Sequence, residues 1–115
     1  MQLNDYETVF ILNPALTDEQ SKDTVNKFKK ILTDGGAQIV HEDLWGLKKF
    51  AYPINKKNSG YYTVLHFQGP PELIKPFEIE YHRDEKVIRH LVVRLDKHAV
   101  TYLHKRYNRL NEQPN

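Results

Sequence analysis

The chain has 115 residues, no cysteine and a formal net charge of +2. That length suits one domain burying about two thirds of its unfolded surface, so it folds without a covalent staple. The lack of cysteine excludes disulfides, thiol catalysis and Cys-ligated zinc. The charge is uneven: residues 1–85 hold 10 Lys/Arg against 13 Asp/Glu, giving −3, whereas residues 86–115 hold 7 against 2, giving +5. Any polyanion is therefore met locally, by the last quarter of the chain and by the lysines between positions 48 and 57.

The first residues, Met-Gln-Leu-Asn-Asp-Tyr-Glu, carry acids where a signal peptide carries bases, and the apolar run Thr8 to Leu12 is far too short to span a bilayer. A cytoplasmic protein with no membrane partner is expected.

Tyr6 to Leu12 is a β-branched and aromatic run stopped by Asn13-Pro14, the pattern of a first strand. Thr17 followed three residues later by Gln20 is a capping box. Ser21, Val25, Phe28 and Leu32 then share a helical stripe, and Gly35-Gly36 supplies a left-handed C-cap. A second strand begins in the alternation Gln38-Ile39-Val40-His41 and runs on to Phe50, and a third is the β-forming run Gly60 to Phe67. Polar Asn55 to Ser59 between them predicts a mobile, lysine-bearing hairpin tip. Gly69-Pro70-Pro71 opens a second helix with Ile74, Phe77 and Tyr81 on its stripe, and Pro76 kinks it unless the regular part starts close to that residue. Val87 to Leu95 is the last strand; Leu91-Val92-Val93 reads as apolar on both sides, as in a covered strand.

The order β1α1β2β3α2β4 predicts an α+β, ferredoxin-like split βαβ sandwich: an antiparallel four-stranded sheet, strands one and three central, both helices on one face. Alternation groups Phe10, Leu12, Leu65 and Phe67 under the helices and leaves Val9, Ile11, Tyr62 and Val64 on the open face. This domain is expected to occupy residues 1–96. Residues 97–115 form a basic extension, with Ala99, Leu103 and Leu110 at helical spacing among Lys97, Lys105, Arg106 and Arg109. It is expected to be partly disordered, or helical over Ala99 to Arg109 when bound, its bases facing RNA or an acidic patch of a partner; a frayed end is the alternative.

No catalytic constellation emerges. Ser21 and Ser59 lack a glycine-framed elbow, and Gly35-Gly36 follows a helix instead of joining a strand to one, so no phosphate loop forms. His41-Glu42-Asp43 and Glu80-Tyr81-His82-Arg83-Asp84 do not present metal ligands on one face, and His98 and His104 diverge on a helix. Neither an enzyme nor a metal, cofactor or small-molecule substrate is expected. The segment from Leu44 to Tyr62 instead interleaves lysine pairs with Trp45, Phe50 and Tyr52, a mixture of cations and flat rings that suits RNA as well as an ordinary strand. Trp45 reads as a stacking surface or an anchor, and His90 as an RNA contact or a packed side chain. Pro53 fixes Tyr52 in an extended backbone, which aims its ring.

Gly46-Leu47-Lys48-Lys49-Phe50-Ala51-Tyr52-Pro53-Ile54 resembles the Gly-x-basic-basic-x-Ala-Tyr-Pro-Ile signature of the bacterial small-subunit ribosomal protein six family. Tyr6-Glu7, Asn13-Pro14, Gly60-Tyr61 and Val87-Ile88-Arg89 match at the expected intervals. The resemblance implies binding to the central domain of small-subunit rRNA together with small-subunit ribosomal protein eighteen during platform assembly. By the same resemblance Lys48, Lys49, Tyr52, Lys56 and Arg89 are RNA contacts. Tyr62, Val64, Lys105, Arg106 and Arg109 are candidates for the protein partner. The chain departs from the family in carrying lysines where many members have arginines, which weakens bidentate phosphate contact to a point charge. A protein-interaction module without direct RNA contact is the competing reading.

Overall fold

The computed structural model describes residues 3–54 and 56–96. Its elements are β1 (Asn4–Leu12), α1 (Asp18–Asp34), β2 (Gln38–Ile54), β3 (Lys57–Gly69), a 3-10 turn (Pro71–Leu73), α2 (Ile74–Arg83) and β4 (Val87–Leu95). All neighbouring strands are antiparallel, in the order β2-β3-β1-β4, so strands one and three are central and the expected ferredoxin-like arrangement is the observed one.

Helix α1 starts where its capping box closes: the Gln20 N–H donates to Thr17 Oγ1 at 3.1 Å and the Thr17 N–H donates to Gln20 Oε1 at 2.9 Å. Two of the first-turn donors are thereby satisfied. The helix ends through Gly36, whose φ of +95° is the left-handed conformation that a side chain resists. Its buried side chains are Ser21, Thr24, Val25, Phe28 and Leu32. In α2, Pro76 falls within the first turn, where helix N–H groups have no intrahelical acceptor, and the preceding 3-10 turn absorbs Pro71. The proline therefore leaves the helix intact.

The core lies between the helices and one sheet face. Phe10, Leu12, Leu65 and Phe67 from the sheet meet Phe28 and Leu32 of α1 and Phe77 and Tyr81 of α2, all completely buried. Ring centroids of Phe28 and Phe77 stand 4.6 Å from that of Tyr81, an aromatic cluster that locks both helices to β1. Alternation assigned the strand faces correctly, with Val9 opposite Val64 and Ile11 opposite Tyr62 on the side away from the helices.

Two expectations are corrected. The polar stretch Lys57 to Ser59 belongs to β3, not to a loop, because Lys49 pairs with Ser59 and Ile54 with Lys57; a two-stranded ribbon satisfies backbone groups whatever the side chains prefer. Strand β4 is not covered on both sides: Val92 packs on the core, but Leu91 and Val93 are 56% and 39% exposed. It is an edge strand of a sheet whose helices cover only one face.

Candidate nucleic-acid interface

Strand β1 ends opposite Tyr61, yet β2 and β3 continue past it. The ribbon from Lys48 to Gly60 therefore projects from the sheet as a two-stranded arm. Its backbone is irregular on the β2 side: five steps, from Lys49 to Ile54, are matched by only two on β3, from Ser59 to Lys57. Pro53 lies in this bulged stretch, where its missing N–H breaks no ladder bond. Tyr52 beside it is 82% exposed, the most exposed large hydrophobic side chain among the described residues. Lys56 turns the chain at the tip with a φ of +65°.

The register then places each proposed contact. Leu47 pairs with Tyr61, whose hydroxyl donates to the Leu16 carbonyl at 3.0 Å on the helical side. Lys48, opposite Gly60, therefore faces the open side, and Lys49, opposite Ser59, faces the helical side. The two neighbouring lysines reach opposite faces of the arm. Arg89 pairs with Ile11, which pairs with Tyr62, which pairs with Gly46, so one row crosses the open face from β4 to β2. With strands about 4.8 Å apart, that row spans about 14 Å. Arg89 is exposed at its far end and shares a face with Lys48 but not with Lys49. Lys48, Lys49, Lys56 and Arg89 carry no ion pair among the described residues, unlike Lys27, Lys29 and Lys86.

Aromatic side chains roof the same corner. Gly46, with φ at +74°, forms a bulge that adds Trp45 as an extra residue on β2. Trp45 and Phe50 each approach the Tyr62 ring at 5.7 Å between centroids. Gly60 is required beneath them, since a Cβ there would stand 2.5 Å from Ile11 Cγ2 and 3.0 Å from the Phe50 ring. Trp45 is thus an anchor on Tyr62 that remains 43% exposed. His90 is resolved in favour of packing: its ring stacks on Tyr81 at 5.1 Å under α2.

Sequence reading missed a cavity of about 400 Å³ between α1 and β2, lined by Val25, Leu44, Leu47 and Tyr61 with Lys22 and Asp18 at its rim. Leu44 and Leu47 are both more than half exposed there. Their three-residue spacing breaks strand alternation, and only the bulge at Trp45 puts them on one side. Among the described residues no three or more His, Cys, Asp or Glu side chains are grouped to hold a metal ion, and no helix is long and apolar enough to cross a membrane. His98, His104, Lys105, Arg106, Arg109 and the extension 97–115 lie outside the described residues.

The family model described as Ribosomal protein S6 matches residues 5–94. A small ribosomal subunit protein bS6 from Phocaeicola vulgatus is 53% identical over 106 residues, 92% of this chain and 93% of that protein. Its counterpart from Christiangramia forsetii is 47% identical over 96% of this chain and 99% of its own length. The crystal structure of 30S ribosomal protein S6 from Thermotoga maritima superposes with a TM-score of 0.80 at 28% identity, covering 96% of this chain and all of that one.

Proposed function

Because the chain belongs to the ribosomal protein S6 family, we propose that it holds the central domain of small-subunit rRNA in shape and does so jointly with small-subunit ribosomal protein eighteen. As a family member it is a structural protein of the small ribosomal subunit, not an enzyme, and is cytoplasmic with the ribosome.

The observation that carries the RNA reading is the arm. It sets Lys48, Lys49, Tyr52 and Lys56 beyond the body of the sheet, all exposed and free of carboxylate partners among the described residues. Lysine ammonium groups act on phosphates as point charges, so they position the protein without reading sequence. With Lys48 and Lys49 on opposite faces, the arm suits a cleft of folded RNA with a strand on each side, and Tyr52 supplies a ring for an unpaired base there. Arg89 adds a phosphate contact on the open face. Protein eighteen is assigned to the apolar surface of that face, at Tyr62 and Val64, with Lys105, Arg106 and Arg109 reaching its acidic groups or the RNA in the assembled particle.

Filter binding to a central-domain rRNA fragment with protein eighteen present tests this. In the Lys48→Ala, Lys49→Ala double variant the slope of log affinity against log salt falls by about 0.7–0.9 for each phosphate that is no longer neutralised. Tyr52→Ala costs about 1–3 kcal/mol with the slope unchanged. An unaltered slope in the double variant removes both lysines from the RNA site. The exposed Leu44 and Leu47 favour one rival, a module that touches only protein; under it, RNA crosslinks map to the partner and not to residues 46–57.

A further inference from the structure

The open face has an electrical direction along its strands. At the arm end stand Lys48 and Arg89. One row further, Asp43, Val64, Val9 and Leu91 lie side by side, followed by His41, His66, Glu7 and Val93. The last row ends with Asp5 opposite Leu95. His66 Nε2 meets Asp5 Oδ1 at 3.0 Å, so one histidine is already matched to one acid. Asp43 in the middle of the face and Glu7 one row nearer its far end make this part of the face acidic, and exposed Leu91 and Val93 beside them make its β4 side apolar.

The chain leaves β4 at that far end, and 19 residues follow Asp96. Residues 97–115 hold four Lys/Arg and one Glu, a net charge of +3. Ala99, Leu103, Tyr107 and Leu110 recur at helical spacing, flanked by Lys105, Arg106 and Arg109. Twelve residues from Ala99 to Leu110 as a helix measure about 18 Å. A four-stranded sheet is about 14–19 Å wide. Length, apolar stripe and charge all fit the face beside which the segment begins.

We propose that in the free protein residues 97–115 fold back across the open face, with Leu103 and Tyr107 covering Leu91 and Val93 and the basic flank facing Glu7 and Asp43. The occupant is this chain's own extension. Docking of a partner on Tyr62 and Val64 then competes with it and releases Lys105, Arg106 and Arg109.

The absence of native cysteine permits a clean test on the full chain without RNA or partner. In the Asn108→Cys variant carrying a nitroxide, amide signals of Val9, Leu91 and Val93 are expected to broaden several-fold more than those of Ser21 and Lys22 on α1. Leu103→Asp in the same background is expected to abolish the broadening. Mixing spin-labelled protein with unlabelled, isotope-enriched protein separates the sources: broadening that survives the mixture comes from a second copy and overturns the proposal. So does broadening confined to α1, or none on the open face. Because the experiment contains no RNA, either result leaves the RNA reading standing.

Discussion

Thr8 has one hydroxyl proton, and the structure shows where it goes. Its Oγ1 lies 2.9 Å from the Leu91 carbonyl, an obligate acceptor, and 2.9 Å from the Tyr81 hydroxyl. Thr8 therefore donates to β4 and accepts from α2, a buried relay joining β1 to one neighbouring strand and to the helix above it. Burial pushes the Tyr81 hydroxyl far above the ordinary phenol range, although its bond to Thr8 acts the other way. Removing only the donor, in Tyr81→Phe, is expected to cost about 1 kcal/mol, because Thr8 keeps its carbonyl acceptor. Thr8→Val instead leaves the buried Tyr81 hydroxyl without its hydrogen-bond partner and is expected to cost roughly 1–3 kcal/mol. Urea unfolding of the two variants gives the order directly. At this scale the sequence told half the story. It named Tyr81 as a core residue from its spacing, but no period reveals that Thr8, on the same alternating face as Phe10, spends its hydroxyl inside the core. His90 is alike in this: only the Tyr81 ring stacked against it, contributed by α2, makes it a packed side chain.

Strand β2 shows why a long edge strand is harder to read than a helix. Helix α1 was readable end to end, since Thr17, Gln20, the stripe and Gly36 each act within a turn of one another. In β2 the alternation is interrupted at Val40, at Trp45 and again past Lys49. Each interruption moves the following residues to the other face. Gly46 is the hinge of the second interruption. An alanine there meets no atom within 4 Å, yet it must hold φ at +74°. Gly46→Ala is therefore expected to destabilise the fold by about 1–2 kcal/mol through backbone strain alone. The Tyr62 contact of Trp45, the sole tryptophan, reports on it: equilibrium unfolding followed by its fluorescence shows a lowered midpoint with an unchanged denaturant slope. A lowered slope instead would mean that the bulge had opened the native sheet. The polar tip misled for a different reason. Lys57 to Ser59 have poor strand propensity, but their partners across the ribbon impose the pairing.

At the scale of the molecule, the order of elements sufficed to deduce the sheet, because split βαβ connectivity and crossover handedness leave little choice once two helices and four strands are placed. What stayed hidden were the contacts that bring distant segments together. Asp84, just past α2, is the example: its buried carboxylate takes the Lys27 ammonium of α1 at 2.9 Å and the Lys86 N–H at 2.9 Å. Burial pushes that carboxyl up, and the two hydrogen bonds with the charges of Lys27 and Lys86 outweigh it, leaving it below the ordinary carboxylate range. A folded-state value below the unfolded one means stability that is complete above the ordinary range and lost as pH falls toward the lowered value. Asp84→Asn is expected to cost roughly 1.5–3 kcal/mol at neutral pH. The gap to wild type should close in acid, as thermal melts across the carboxylate range would show. A constant gap would mean that shape, and not charge, is what Asp84 contributes. The strand order has a last consequence. With β2 and β4 at its margins, the sheet terminates on both sides in backbone groups that no neighbouring strand among the described residues satisfies. Such rims invite sheet-to-sheet growth. Chain made in surplus is therefore expected to associate with itself through these two rims, which light scattering of the free protein at rising concentration would show.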